Sequence, residues 1–146
     1  MFYLVNIRKL GDNRYVAECP AIPELVTPFS TETEDGAMKL ITSLFGKTVQ
    51  ERYRKNQKPI PVPAEDVGDK FAIHVPVKVE AKIRLWNYMM KNNIRISELA
   101  KALGVSQTQA QRCVDIDKDR ASIDTVEEAL YALGGYFTLG VEKFDD

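Results

Sequence analysis

The chain has 146 residues, 45% hydrophobic and 28% charged, a globular balance that supports a buried core in one domain or two small ones and excludes wholesale disorder. Lys and Arg number 20 against 21 Asp and Glu, so the total shows no strongly basic nucleic-acid binder and any charge asymmetry is local. No apolar run approaches the roughly 20 residues of a membrane span, and the opening MFYLVNIRKLGDNRYV lacks the apolar core of a secretory signal, so a soluble, cytoplasmic chain with no membrane partner is expected.

Residues 2 to 10 alternate, with Tyr3, Val5 and Ile7 on one side and Asn6 and Arg8 on the other, which predicts a half-buried strand. Gly11, Asp12 and Asn13 make a turn, and Arg14 to Cys19 returns as the second strand of a hairpin. Pro20 and Pro23 lack backbone donors and stop that strand, leaving Leu25 to Thr27 as a brief third one. Thr33 opens a helix with apolar positions Ala37, Leu40, Ile41, Leu44, Phe45 and Val49. Its basic end, with Arg52, Arg54 and Lys55, reads as a solvated terminus that complements the helix dipole. Lys58 to Pro63 is an extended connector, and Phe71 to Val75 alternates as a fourth strand.

After Pro76 the periodicity becomes helical, which places a domain boundary between residues 1–76 and 77–146. Val79, Ile83, Trp86 and Met90 mark one face of a helix ending near Asn92 and Asn93, with Trp86 in the core. Ile96 to Leu103 is a second helix stopped by Gly104, and Ser106 caps a third that runs to about Val114. Asp124, with Glu127 three residues on, predicts the cap of a fourth helix through Leu133. Tyr136 to Val141 then reads as a strand with no partner in its own domain. Such an edge is relieved by pairing with a second copy of the chain, which makes Tyr136, Phe137, Leu139 and Val141 candidate dimerisation residues.

The most specific signal is ISELAKALGVSQTQAQRCVD, Ile96 to Asp115. A helix-turn-helix needs a small residue such as Ala100 where its helices cross and a glycine such as Gly104 where the backbone turns with positive φ. Leu99, Ala100, Leu103, Val105, Ala110 and Cys113 fall inward, which turns Ser106, Gln107, Thr108, Gln111, Arg112 and Asp115 outward. Glutamine pairs with adenine and arginine with guanine in the major groove; Ser106 and Thr108 suit phosphates at the helix start, and Lys101 and Arg95 suit the flanking phosphates. Residues 78–114 hold seven cations against two acids, a net of +5, whereas residues 115–146 carry −6. A basic helix pair beside an acidic tail favours duplex DNA.

The N-terminal half carries different chemistry. Arg8, Lys9 and Arg14 face six acids within residues 1–38, a net of −3, and an acidic surface suits a basic, RNA-binding partner. Glu24, Glu32, Glu34 and Asp35 are candidate contacts. Two-metal hydrolysis needs carboxylates converging from core strands. Tyr3 to Leu10 and Phe71 to Val75 have none, so neither a catalytic residue nor a metal site is assigned. Cys19 and Cys113 are far apart and predicted inward, and His74 is the single histidine; these suit structural roles without a cofactor.

Over nearly its whole length the sequence resembles HicB antitoxins that carry a Cro/repressor-type helix-turn-helix. The resemblance lies in the opening MFYLVNI, in CPAIPELVT at Cys19 to Thr27, in TEDGAM at Thr33 to Met38, in KPIPVP at Lys58 to Pro63, and in the join HVPVKVEAKI. Gly36 departs from the pattern, since a helix former is usual there, and should weaken the first helical turn. The resemblance implies an α+β chain with a partial ribonuclease-H-like βββαβ domain that blocks a small HicA-like RNase toxin. It also implies an all-α helix-turn-helix domain that represses the operon at an inverted-repeat operator, in a dimer or tetramer. The rival readings are a ligand-sensing repressor and a ribonuclease-H-like nuclease.

Overall fold

The computed structural model describes residues 1–63 and 71–144; Asp145 and Asp146, two acids of the tail, lie outside the described residues. The chain divides into two compact units, Met1–Pro76 and Val77–Asp146. Among the described residues it is a mixed α and β protein with five α-helices and two small antiparallel sheets. None of these helices is long and apolar enough to cross a membrane.

In the first unit β1 (Phe2–Leu4) pairs with β5 (Ala72–His74), with Tyr3 opposite Ile73. The second sheet is the meander β2 (Asn6–Gly11), β3 (Arg14–Cys19) and β4 (Ile22–Val26). The single first strand expected over residues 2 to 10 is therefore two. The Val5 amide donates to the Phe71 carbonyl (2.8 Å), and the next residue, Asn6, already pairs with Glu18. One extended segment thus serves different partners in its two halves. β4 starts earlier than expected and contains Pro23. The proline is tolerated because β4 is the outer strand of the meander, where a missing donor breaks no rung. Thr27 closes the irregular β3–β4 ladder, its Oγ1 accepting from the Ala17 amide at 3.0 Å.

Helix α1 (Glu34–Val49) packs on the meander through buried Ala37, Ile41, Phe45 and Val49. Thr33 is its N-cap, and Thr33 Oγ1 accepts from the Gly36 amide at 2.9 Å. A Cβ on Gly36 would stand 3.1 Å from that oxygen and 3.3 Å from Thr31 Cβ. The unusual glycine therefore sits where a side chain would press on the cap. Beyond Val49 the helix widens into a π turn, Gln50–Arg54, that buries Tyr53 and Arg54. Arg54 therefore departs from the solvated helix end expected there, because the wider turn rotates it inward.

The second unit consists of α2 (Val77–Lys91), α3 (Ile96–Leu103), α4 (Gln107–Arg112) and α5 (Ile123–Ala132). Helix α5 packs on α2 and α3, and Trp86, Ile83, Leu85, Leu99 and Val126 are fully buried. Met89, rather than Met90, is the fully buried methionine of α2. Asn93, in the left-handed region at φ 55°, ends that helix. Ser122, not Asp124, caps α5, its Oγ accepting from the Thr125 amide at 3.1 Å. Asp124 lies inside the first turn, where its charge suits the dipole but its side chain is past the capping position.

No strand forms at Tyr136 to Val141. A strand requires a neighbour for its backbone groups, and no described segment of the chain pairs with this one. Tyr136, Leu139 and Val141 are instead 78%, 83% and 96% exposed, with Phe137 half-buried.

Candidate functional site

The geometry of α3 and α4 follows from local chemistry. Gly104 adopts φ 68° and ψ 33°, the left-handed stop for α3. Its amide and that of Val105 return to carbonyls in the last turn of α3, the Val105 N to Ala100 O bond being 3.0 Å. Ser106 then opens α4 with a capping box: its hydroxyl oxygen accepts from the Gln109 amide (3.1 Å), and its own amide donates to Gln109 Oε1 (3.3 Å). Leu99, Ala100, Ala110, Cys113 and Val114 are buried beneath the pair. Val105 is exposed, unlike its inward expectation, because the turn carries it past the packed face.

Gln107, Thr108, Gln111 and Arg112 share the exposed surface of α4, with Lys101 exposed on α3. Ser106 is exposed too, but its hydroxyl is engaged in the cap. Arg95 pairs with Glu98 at 3.3 Å. The cations counted in this segment are therefore not equally available. Lys82 is buried, Arg84 pairs with Glu80 (2.8 Å), and Lys78 pairs with Asp119. Lys91, Lys101 and Arg112 make no ion pair among the described residues.

The acids of the first unit fall into two places. Glu32, Glu34 and Asp35 stand together, exposed, at the start of α1, where Asp35 pairs with Lys39 at 3.1 Å. Glu24 lies at the far end of the same helix. Its Oε1 accepts from the Tyr53 hydroxyl at 2.6 Å, and Tyr53 is about 28 Å along the helix from Glu34 at 1.5 Å per residue. Burial, and then the hydrogen bond and charge of Glu24, push the Tyr53 hydroxyl up to about 12. Among the described residues no group of three or more His, Cys, Asp or Glu side chains is placed to hold a metal ion. Cys19 and Cys113 are buried free thiols whose pKa values burial raises, and His74 is exposed with its ring 5.0 Å from that of Phe2.

No protein-family model matches the chain. Over 129 residues it is 31% identical to Antitoxin HicB of Pseudomonas fluorescens (strain Pf0-1), covering 85% of this chain and 83% of that protein. It is 33% identical over 123 residues to Antitoxin HicB 2 of Photorhabdus laumondii subsp. laumondii, covering 82% of each. Antitoxin HicB of Escherichia coli (strain K12) is 26% identical over 141 residues, covering 95% of this chain and 98% of that one. The chain belongs to the HicB antitoxin family.

The HicB relatives are named as antitoxins, which is consistent with a chain that is not an enzyme. Two features of this HicB chain escaped the sequence reading. The Glu24–Tyr53 bond joins residues 29 apart, across a π turn that no local pattern announces. Lys82 lies almost wholly inside the second unit, where its ammonium donates to the Asp115 and Lys118 carbonyls at 3.1 and 3.3 Å. Its one advance signal is spacing, since position 82 shares a helix face with Leu85, Trp86 and Met89.

Proposed function

We propose that this HicB chain is the antitoxin of a HicAB-like pair, that it binds and neutralises a small HicA-like RNase toxin, and that it represses its own operon. In this reading α3 and α4 are a helix-turn-helix of the Cro/repressor type and α4 is its recognition helix. The observation that carries it is the left-handed Gly104 turn followed by the Ser106 capping box, which leaves Gln107, Gln111 and Arg112 on the exposed side of α4. Gln and Arg supply base-edge discrimination there, while Lys101 and Arg95 supply phosphate contacts, Arg95 by exchanging Glu98 for a phosphate.

The first unit, a partial ribonuclease-H-like βββαβ domain in this reading, takes the toxin. Glu32, Glu34 and Asp35 offer a local negative patch to a basic, RNA-binding protein, and Glu24, fixed by Tyr53, adds a second acidic point. Self-association runs through Tyr136, Phe137, Leu139 and Val141; the exposed apolar surface of Tyr136, Leu139 and Val141, on a segment outside both sheets, suits addition of the same segment from a second copy. Two recognition helices in a two-fold dimer would meet half-sites of an inverted repeat about 34 Å apart or a multiple of it.

Gel-shift titration on operator and scrambled duplexes tests the DNA assignment. Replacing Gln107 or Arg112 with Ala should cost about 1 to 3 kcal/mol on the operator and relax base preference. Lys101→Ala should weaken both duplexes alike and lower the salt slope by about one. Unchanged operator affinity in both Gln107→Ala and Arg112→Ala would remove α4 from DNA recognition.

A further inference from the structure

The six residues Asp115 to Arg120, which begin two residues after Cys113, the C-cap of α4, contain no regular element, yet they are tied down from several directions. Lys82, 2% exposed on α2, donates to two of their carbonyls, those of Asp115 and Lys118. The Asp115 carboxylate turns back on its own chain, Oδ1 accepting from the amides of Asp117 and Lys118 at 3.1 Å each. One turn before Lys82 on the same helix, Lys78 pairs with Asp119. Cys113, Val114 and Ile116 are buried on the inner side. An apolar side chain at position 82 would suit this interior equally well by volume but would take the donor from the Asp115 carbonyl and leave the Lys118 carbonyl with the Arg120 amide alone (3.1 Å). The buried cation is therefore needed by the segment, not by the core.

We propose that Lys82 is a positioning residue for DNA reading. By fixing the Asp115 and Lys118 carbonyls it sets the path of the chain leaving α4 and holds Gln111 and Arg112, which occupy the last turn of that six-residue helix, at a fixed pitch. The inference rests on the helix-turn-helix reading of α3 and α4. A helix this short makes few bonds of its own and depends on what anchors its ends. The Ser106 capping box anchors the start, and the Lys82–Asp115 arrangement anchors the exit. Burial lowers the Lys82 pKa, while the charges of Asp115 and Asp119 oppose that shift.

The test uses the full chain and measures the ratio of operator to scrambled-duplex affinity. Lys82→Met keeps the apolar stem and removes the donor; because its charge is internal, a charge effect alone would weaken both duplexes alike, whereas lost positioning lowers the ratio at least tenfold. Asp115→Ala separates the causes by sign. Removing an acid beside the recognition helix would by charge alone tighten both duplexes, whereas loss of positioning again lowers the ratio. Asp115→Asn retains an oxygen for the Asp117 and Lys118 amides and should restore most of it. Gln107→Ala and Arg112→Ala serve as reference arms. If these collapse the ratio while folded Lys82→Met and Asp115→Ala leave it within twofold of the parent, the positioning role is wrong and the helix-turn-helix stands. If the reference arms also leave it unchanged, the helix-turn-helix reading itself fails. Should Lys82→Met not fold, as judged by Trp86 emission, the Asp115 pair decides alone.

Discussion

Replacing Gly104 with alanine isolates the cost of one backbone conformation. Gly104 holds φ 68° and ψ 33°, and a Cβ built there meets nothing within 4 Å. There is no clash to relieve, so the whole penalty is that of an L-residue in the left-handed region, about 1 to 2 kcal/mol. For a domain of this size, each 1 kcal/mol moves the melting midpoint by roughly 4 to 8 °C. A fall of about 4 to 16 °C is therefore expected for Gly104→Ala, and a smaller one for Gly104→Asn, since asparagine tolerates this region better. Trp86 is the single tryptophan and is fully buried in the second unit, so its emission follows that unit's unfolding within the intact chain. A midpoint within 1 °C of the parent would refute the left-handed turn. A collapse of 20 °C or more would refute the open space around it, as would Asn costing more than Ala.

Three further outcomes follow from the same reasoning. Ser122→Ala should cost about 1 kcal/mol through the lost cap and Asp124→Ala a few tenths, compared by Trp86-monitored urea titration. Tyr53 is held near 12 in the fold against 10.0 unfolded, so the unfolded chain releases the proton first. Stability of the first unit should fall as pH rises from about 10 to 12, by up to roughly 2 kcal/mol; near-ultraviolet circular dichroism of the parent and of Tyr53→Phe checks this, and the phenylalanine variant should lose that pH dependence. Deleting residues 136–146 should convert the self-associated protein to monomers by light scattering, whereas a truncated chain that remains dimeric would place the self-contact elsewhere.

Much of this architecture is legible because its causes are local. Gly104, Ser106 and Thr33 announce helix ends through their own conformation or side chain, and the Tyr3, Ala17 and Cys19 alternation places the inner face of the sheets. Where the cause is distant, the reading slips. Pro23 stops a strand by its own chemistry, yet it is tolerated because β4 turns out to be an edge. The charge count of residues 78–114 treats seven cations as equal, whereas Lys82 is interior and Lys78 is matched by an acid 41 residues away. The candidate acids show the same limit, since Glu24 and Glu34 look near in sequence but stand at opposite ends of α1. Alternation at Tyr136 to Val141 signals an extended segment; whether it becomes a strand depends on a partner, which no described segment of the chain supplies.

The central claim is neutralisation of a HicA-like RNase, and the most direct measurement is co-expression of the full chain with the toxin from the reading frame beside its gene. The account predicts that growth is rescued and that the two proteins co-purify. Rescue should persist when Gln107 and Arg112 are both alanine, because α4 lies in the other unit. It should weaken when Glu32, Glu34 and Asp35 are all replaced by lysine in a chain that remains folded. Growth arrest that continues in the presence of the folded parent chain, with no toxin retained on it, would contradict the account.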